Sequence, residues 1–130
     1  MEGTQKQIRL LIVDDEQGFA TVLAKRMQRR GLNVEIAFHG KDAVCMLRES
    51  DFDIAILDLK LEGMDGLEIL KIFKLLAPDL PVIMLTGHGC ERAAAECMKN
   101  GAAEYLSKPI DFGALMDKVL QVLKQEGTSP

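Results

Sequence analysis

Ile8-Arg9-Leu10-Leu11-Ile12-Val13-Asp14-Asp15 is the stretch on which the fold turns. Its apolar run, broken only by Arg9, is too short for a helix and stops at two acids, so it reads as a buried strand. Two further runs share that design: Phe52 to Leu57 closed by Asp58, and Leu80 to Leu85 around Pro81 closed by Thr86-Gly87. Ala103 to Leu106 makes a shorter strand ahead of Ser107-Lys108-Pro109, while Val34, Ile36 and Phe38 alternate with Glu35 and Ala37, as in a strand less fully covered. Between the strands the apolar period becomes that of a helix. Phe19, Val22, Leu23 and Met27 recur among Lys25, Arg26, Arg29 and Arg30 until Gly31 stops the helix. Ala43, Val44 and Leu47 carry a short helix over Lys41 to Glu49, and Leu67, Leu70, Phe73 and Leu75 carry one from the Gly63-Met64-Asp65-Gly66 loop to Pro78. Ala94, Cys97 and Met98 mark a small-residue helix ended by Gly101. Asp111 is placed to cap the last helix, whose Leu115, Val119, Val122 and Leu123 face inward.

These segments form five β-then-α units, which predicts an α/β fold: a doubly wound five-stranded parallel sheet with five helices on its two faces. Right-handed crossovers leave two usual strand orders. The weaker apolar character of the second and fifth strands puts them at the edges, giving 2-1-3-4-5. With 130 residues, 48% apolar and 28% charged, the chain reads as a single domain over residues 1–130 with its core at about 8–125. Such a length buries roughly two-thirds of the surface exposed on unfolding, so no structural metal or disulfide is needed. Twenty acids against 16 basic residues give a net charge of −4, which disfavours binding to nucleic acid or an anionic membrane. Cys45, Cys90 and Cys97 are an odd set without CxxC spacing and read as free thiols in a reducing cytoplasm. Met1 to Gln7 is polar and no apolar run approaches ~20 residues, so neither a signal peptide nor an anchor is expected. The tail from Gly127 to Pro130 is expected to fray.

In an open parallel sheet the binding crevice lies beyond the carboxyl ends of the strands. Here those ends are Asp14-Asp15, Asp58, Thr86-Gly87 and Lys108-Pro109. Taken singly, each has an ordinary explanation: an Asp caps a helix, Thr-Gly makes a turn, and Lys-Pro another. Capping does not explain acids on adjacent central strands, where carboxylates a few ångströms apart repel by about 4 kcal/mol per pair at an effective dielectric near 20. A positive charge belongs there. Lys108 supplies one, and an oxygen-rich rim suits a hard divalent cation, Mg²⁺ being the natural choice. A cation and an ammonium flanking a carboxylate are organised to receive a phosphoryl group, and the carboxylate can itself be the nucleophile. No GxxxxGK or GxGxxG supports nucleotide binding, and His39 and His88 lack the partner a catalytic base needs.

Val13-Asp14-Asp15, Leu57-Asp58, Gly63-Met64-Asp65-Gly66, Leu85-Thr86-Gly87 and Tyr105 with Ser107-Lys108-Pro109 stand in an order and spacing that resemble the receiver domain of two-component response regulators, over residues 8 to 125. The resemblance implies a flavodoxin-like fold with Asp58 as phosphoacceptor. It implies Mg²⁺ held by Asp14, Asp15, Asp58 and the backbone carbonyl of Lys60. By the same resemblance Lys108 pairs with the phosphoryl oxygens, Thr86 hydrogen-bonds to the phosphoryl group, Tyr105 is a ring that swings inward when Thr86 moves, and the Lys108–Pro109 bond is cis. The implied protein is a signalling switch rather than an enzyme acting on outside substrates. Its partners would be a sensor histidine kinase, an output domain or effector, and a second copy on phosphorylation. An aspartate-nucleophile phosphohydrolase is the rival enzyme, but such enzymes carry a second Asp where Lys60 stands. A flavin module of the same strand order is disfavoured because Asp14-Asp15-Glu16 would repel its phosphate. Leu85-Thr86-Gly87-His88-Gly89 and Ala102-Ala103-Glu104-Tyr105-Leu106 look most like receivers joined to enhancer-dependent activators of the nitrogen-regulator class.

Overall fold

A computed structural model of the chain describes residues 7–126, so the expected fraying of Gly127 to Pro130 lies outside the described residues. The elements run β1 (Arg9–Val13), α1 (Gln17–Arg29), β2 (Asn33–Ala37), α2 (Gly40–Glu49), β3 (Ile54–Leu57), β4 (Lys60–Leu61), β5 (Met64–Asp65), α3 (Gly66–Leu76), β6 (Val82–Thr86), α4 (Glu91–Lys99), β7 (Glu104–Ser107) and α5 (Phe112–Gln125). Five strands form one parallel sheet in the order β2-β1-β3-β6-β7. Counting only those strands, this is the expected 2-1-3-4-5.

Alternation along each strand builds two cores from one sheet. Leu10, Ile12, Ile54, Ile56, Ile83 and Leu85 face α1 and α5, meeting Leu23, Met27, Val119 and Leu123. Their neighbours Leu11, Val13, Ala55, Leu57, Val82 and Met84 face the other way, against Ala43, Ile69, Leu70, Phe73 and Cys97 of α2, α3 and α4. Both faces of the central strands are thus covered, which is why those strands read as unbroken apolar runs.

Helix periodicity was less faithful at its flanks. Val22, expected on the inner face of α1, is 58% exposed. The inward stripe is instead Ala20, Leu23, Ala24 and Met27, whose alanines let the helix approach the sheet closely. Val22 falls beside that stripe and borders a shallow apolar groove of about 320 Å³ with Phe19, Ile110 and Phe112. Leu75 and Met98 likewise face outward. Within the expected Gly63-Met64-Asp65-Gly66 loop, β5 pairs antiparallel with β4 ahead of it, and Asp65 caps α3 by accepting from Leu67 N–H at 2.9 Å. Gly66 permits this turn: a side chain there would collide with the backbone of Asp58 and Leu59. The expected cap on α5 is present, with Asp111 accepting from Ala114 N–H at 3.1 Å. Among the described residues no helix is long and apolar enough to cross a membrane.

Candidate functional site

The parallel ladder leaves the carboxyl ends of the central strands level with one another. Asp14 N–H donates to the Ala37 carbonyl at 3.1 Å and Asp58 N–H to that of Val13 at 2.9 Å, so the pairing runs one residue past β1 and β3. Both side chains therefore emerge at the same rim, each residue only 3% exposed. Lys108 enters from the end of β7, its N–H donating to the Thr86 carbonyl at 2.9 Å, and the Lys108–Pro109 peptide is cis. Its Nζ donates to Asp14 Oδ2 at 2.7 Å and Glu16 Oε1 at 2.8 Å, and reaches Asp58 Oδ2 at 3.5 Å. The same ammonium sits 4.3 Å from the centroid of the Phe19 ring, within cation–π range.

This packing sets opposing electrostatic demands. Burial pushes the Asp14 carboxyl above its ordinary pKa, with Asp58 adding to the rise, although Lys108 and the Glu16 N–H pull it down. Burial also presses on the Lys108 ammonium, but its hydrogen bonds to Asp14 and Glu16 outweigh that pressure and the net displacement is upward. Lys108 is thereby held charged, and Asp14 bears the strain of a carboxylate enclosed beside another.

Asp14, Glu16 and Asp58 each offer an oxygen within 4.8 Å of the others. Three carboxylates are the donor chemistry of a hard divalent cation, so these residues could hold a metal ion of that kind. Asp15, grouped with Asp14 and Asp58 by their place at the strand ends, is not one of this trio and accepts from Glu62 N–H at 2.7 Å. Lys60 lies beside the cluster through its amide, which donates to Asp58 Oδ1 at 3.3 Å. Glu16 is the member that sequence reasoning left without a role. The sequence offered no signal for it: Glu16 stands at the position that caps α1, and only the structure shows that it makes no side-chain cap hydrogen bond.

Across the cleft, Thr86 is buried and its hydroxyl oxygen accepts from His88 N–H at 3.1 Å. Tyr105 packs its ring into the core beneath α4. Its hydroxyl is buried without a hydrogen-bond partner. Burial pushes that phenol's pKa up, helped by the nearby Cys97 and Cys90, and the Cys90 backbone tempers the rise without reaching hydrogen-bonding geometry. Gly89 makes this inward position possible, since a side chain there would overlap the Tyr105 hydroxyl. Sequence reasoning did not single out Gly89 for that contact. His39 stands between the edge strand β2 and α2, whereas His88 borders the depression beside β4 and β5.

The fold and rim together define a parallel α/β switch module with a carboxylate pocket. The chain belongs to the response regulator receiver domain family, whose model matches residues 10–120. It is a phosphoacceptor regulatory module. It is 36% identical over 117 residues to the transcriptional regulatory protein ZraR of Salmonella typhimurium, covering 90% of this chain and 26% of that protein. It is also 36% identical over 121 residues to a putative response regulator, NtrX-like, of Rickettsia felis, covering 92% and 25%. The chain thus spans about a quarter of the length of these relatives. Among solved structures, a CheY-like receiver domain protein from Methanospirillum hungatei superposes with a TM-score of 0.91 at 28% identity, covering 94% of this chain and 98% of that one. A response regulator from Burkholderia pseudomallei, solved with a phosphorylated aspartic acid, a calcium ion and citrate, gives 0.84 at 28% identity, covering 92% and 70%.

Proposed function

We propose that residues 1–130 are a single cytoplasmic receiver domain in which Asp58 takes a phosphoryl group from a phosphohistidine of a sensor histidine kinase. An Asp58 carboxylate oxygen bonds to phosphorus as the histidine nitrogen–phosphorus bond breaks, and the imidazole leaves with that bond's electron pair. Asp14, Asp15, Asp58 and the Lys60 carbonyl would hold Mg²⁺, with Glu16 close by. When bound, the ion supplies charge neutralisation at the transferring oxygens. Lys108 pairs with the phosphoryl oxygens, which is worth most in a site where water is largely excluded. Thr86 donates its hydroxyl to the new oxygens, and Tyr105, already turned inward, fills the space that the movement of Thr86 leaves.

The observation that carries this reading is one ammonium, Lys108 Nζ, within 3.5 Å of three separate carboxylates at the strand ends. A phosphoryl group adds roughly −1.5 to −2 charge and new acceptor oxygens, the differential contact that shifts a conformational equilibrium. The length of the transcriptional relatives supports an output domain carried on a longer chain, in the manner of enhancer-dependent activators, with dimerisation on phosphorylation as one mode of control. Incubation with Mg²⁺ and acetyl phosphate should add one phosphoryl group to the intact protein and none to Asp58→Asn. Equal labelling of the variant would refute Asp58 as the acceptor.

A further inference from the structure

We propose that Glu16 is a positioning residue that parks the Lys108 ammonium on the α1 side of the cleft and competes with the phosphoryl group for it. This rests on the reading of Asp58 and Lys108 given above. Three features of the first residues of α1 support it. Glu16 Oε1 accepts from Lys108 Nζ at 2.8 Å, shorter by 0.7 Å than the 3.5 Å from Nζ to Asp58 Oδ2. The Phe19 ring, one helical turn on, faces the same ammonium at 4.3 Å. Glu16 does not spend its carboxylate capping its own helix.

The two partners of that ion pair differ in a way that suits release. The Lys108 side chain is 12% exposed and the Asp14 side chain 4%, whereas that of Glu16 is 61% exposed. When Lys108 lets go, Glu16 is solvated at once, whereas abandoning Asp14 or Asp58 would leave a buried carboxylate bare. Glu16 is therefore the hold released at least cost and the one a new anion on Asp58 displaces. Its presence lowers the affinity of the pocket for a phosphoryl group, because the ammonium must leave one carboxylate to serve another.

Beryllofluoride, which mimics a phosphoryl group on a carboxylate, tests this at saturating Mg²⁺ with the full 130-residue chain. Glu16→Gln should bind it about threefold more tightly than wild type, the scale of one largely exposed ion pair. Glu16→Asp keeps the charge and loses the reach to Nζ, so it should behave like Glu16→Gln. A purely general charge effect would leave Glu16→Asp like wild type and would overturn the proposal. Weaker beryllofluoride binding in Glu16→Gln, together with Mg²⁺ affinity reduced about tenfold or more, would make Glu16 a metal ligand and would also overturn it. Wild-type affinity in both variants defeats the inference alone. Failure of wild type itself to bind beryllofluoride defeats the reading of Asp58 on which it stands.

Discussion

The two walls of the cleft are built on different physical terms. On the α1 side, Lys108 is tied to three carboxylates and one aromatic face, and leaving Asp14 or Asp58 would bare a buried charge. On the α4 side, Thr86 spends its hydroxyl oxygen on a local turn, and the Tyr105 hydroxyl has no partner to lose. The ionic wall is stiff until another anion arrives, because breaking a buried pair leaves an uncompensated charge. On the apolar wall the Tyr105 ring can shift at the loss of no hydrogen bond, whereas Thr86 has the one from His88 N–H to give up.

Removing the cation from the ionic wall is the severest way to break this contrast. Lys108→Met should destabilise the fold by about 3 kcal/mol, since Asp14 and Asp58 then lie enclosed without it. Urea unfolding would measure the loss, and millimolar Mg²⁺ should recover part of it. An unaffected midpoint would mean that the three carboxylates do not depend on Lys108.

On the other wall, Gly89→Ala should cost about 2 kcal/mol or turn Tyr105 outward, because the added carbon overlaps the phenol and lies 3.1 Å from Thr86 Cγ2. The chain has one tyrosine and no tryptophan, so tyrosine emission reports that ring alone. Iodide should quench it more strongly in the variant, and equal quenching with unchanged stability would show that Gly89 does not set the inward position.

Smaller and opposite in sign is Asp14→Asn, expected to raise stability near neutral pH by about 1 kcal/mol. The Asp14 pKa is raised on folding, so its ionised form penalises the native state above the folded pKa, and the penalty vanishes as pH falls below the ordinary value of 3.8. The advantage of the variant should therefore shrink as pH drops through that window. A constant difference between pH 3 and 7 would place its origin elsewhere. Least of all, Tyr105→Phe should be neutral or stabilising by less than about 1 kcal/mol, since it deletes a buried hydroxyl that bonds to nothing.

Much of the site was legible because it sits where pattern changes abruptly. Asp14, Asp58, Thr86 and Lys108 each end an apolar run, and in a parallel sheet such ends share one rim. Contacts that depend on side-chain reach were not legible. Glu16 meets Lys108 across 92 positions of sequence, and Asp15 accepts from the Glu62 amide across 47. Val22 satisfies the helical period yet lands outside, because periodicity gives a repeat but not the angle at which the helix rolls onto the sheet.

By itself the amino-acid order determined the five β-α units, the strand sequence across the sheet and the chemistry gathered at its carboxyl edge, since alternation and burial of apolar groups are local and leave few arrangements. Only the tertiary structure decided which acid holds the ammonium, which one faces a backbone amide, and that a glycine makes room for the phenol. Those choices rest on distances of a few ångströms between residues far apart in the chain, where a single rotamer or a single missing carbon selects the partner.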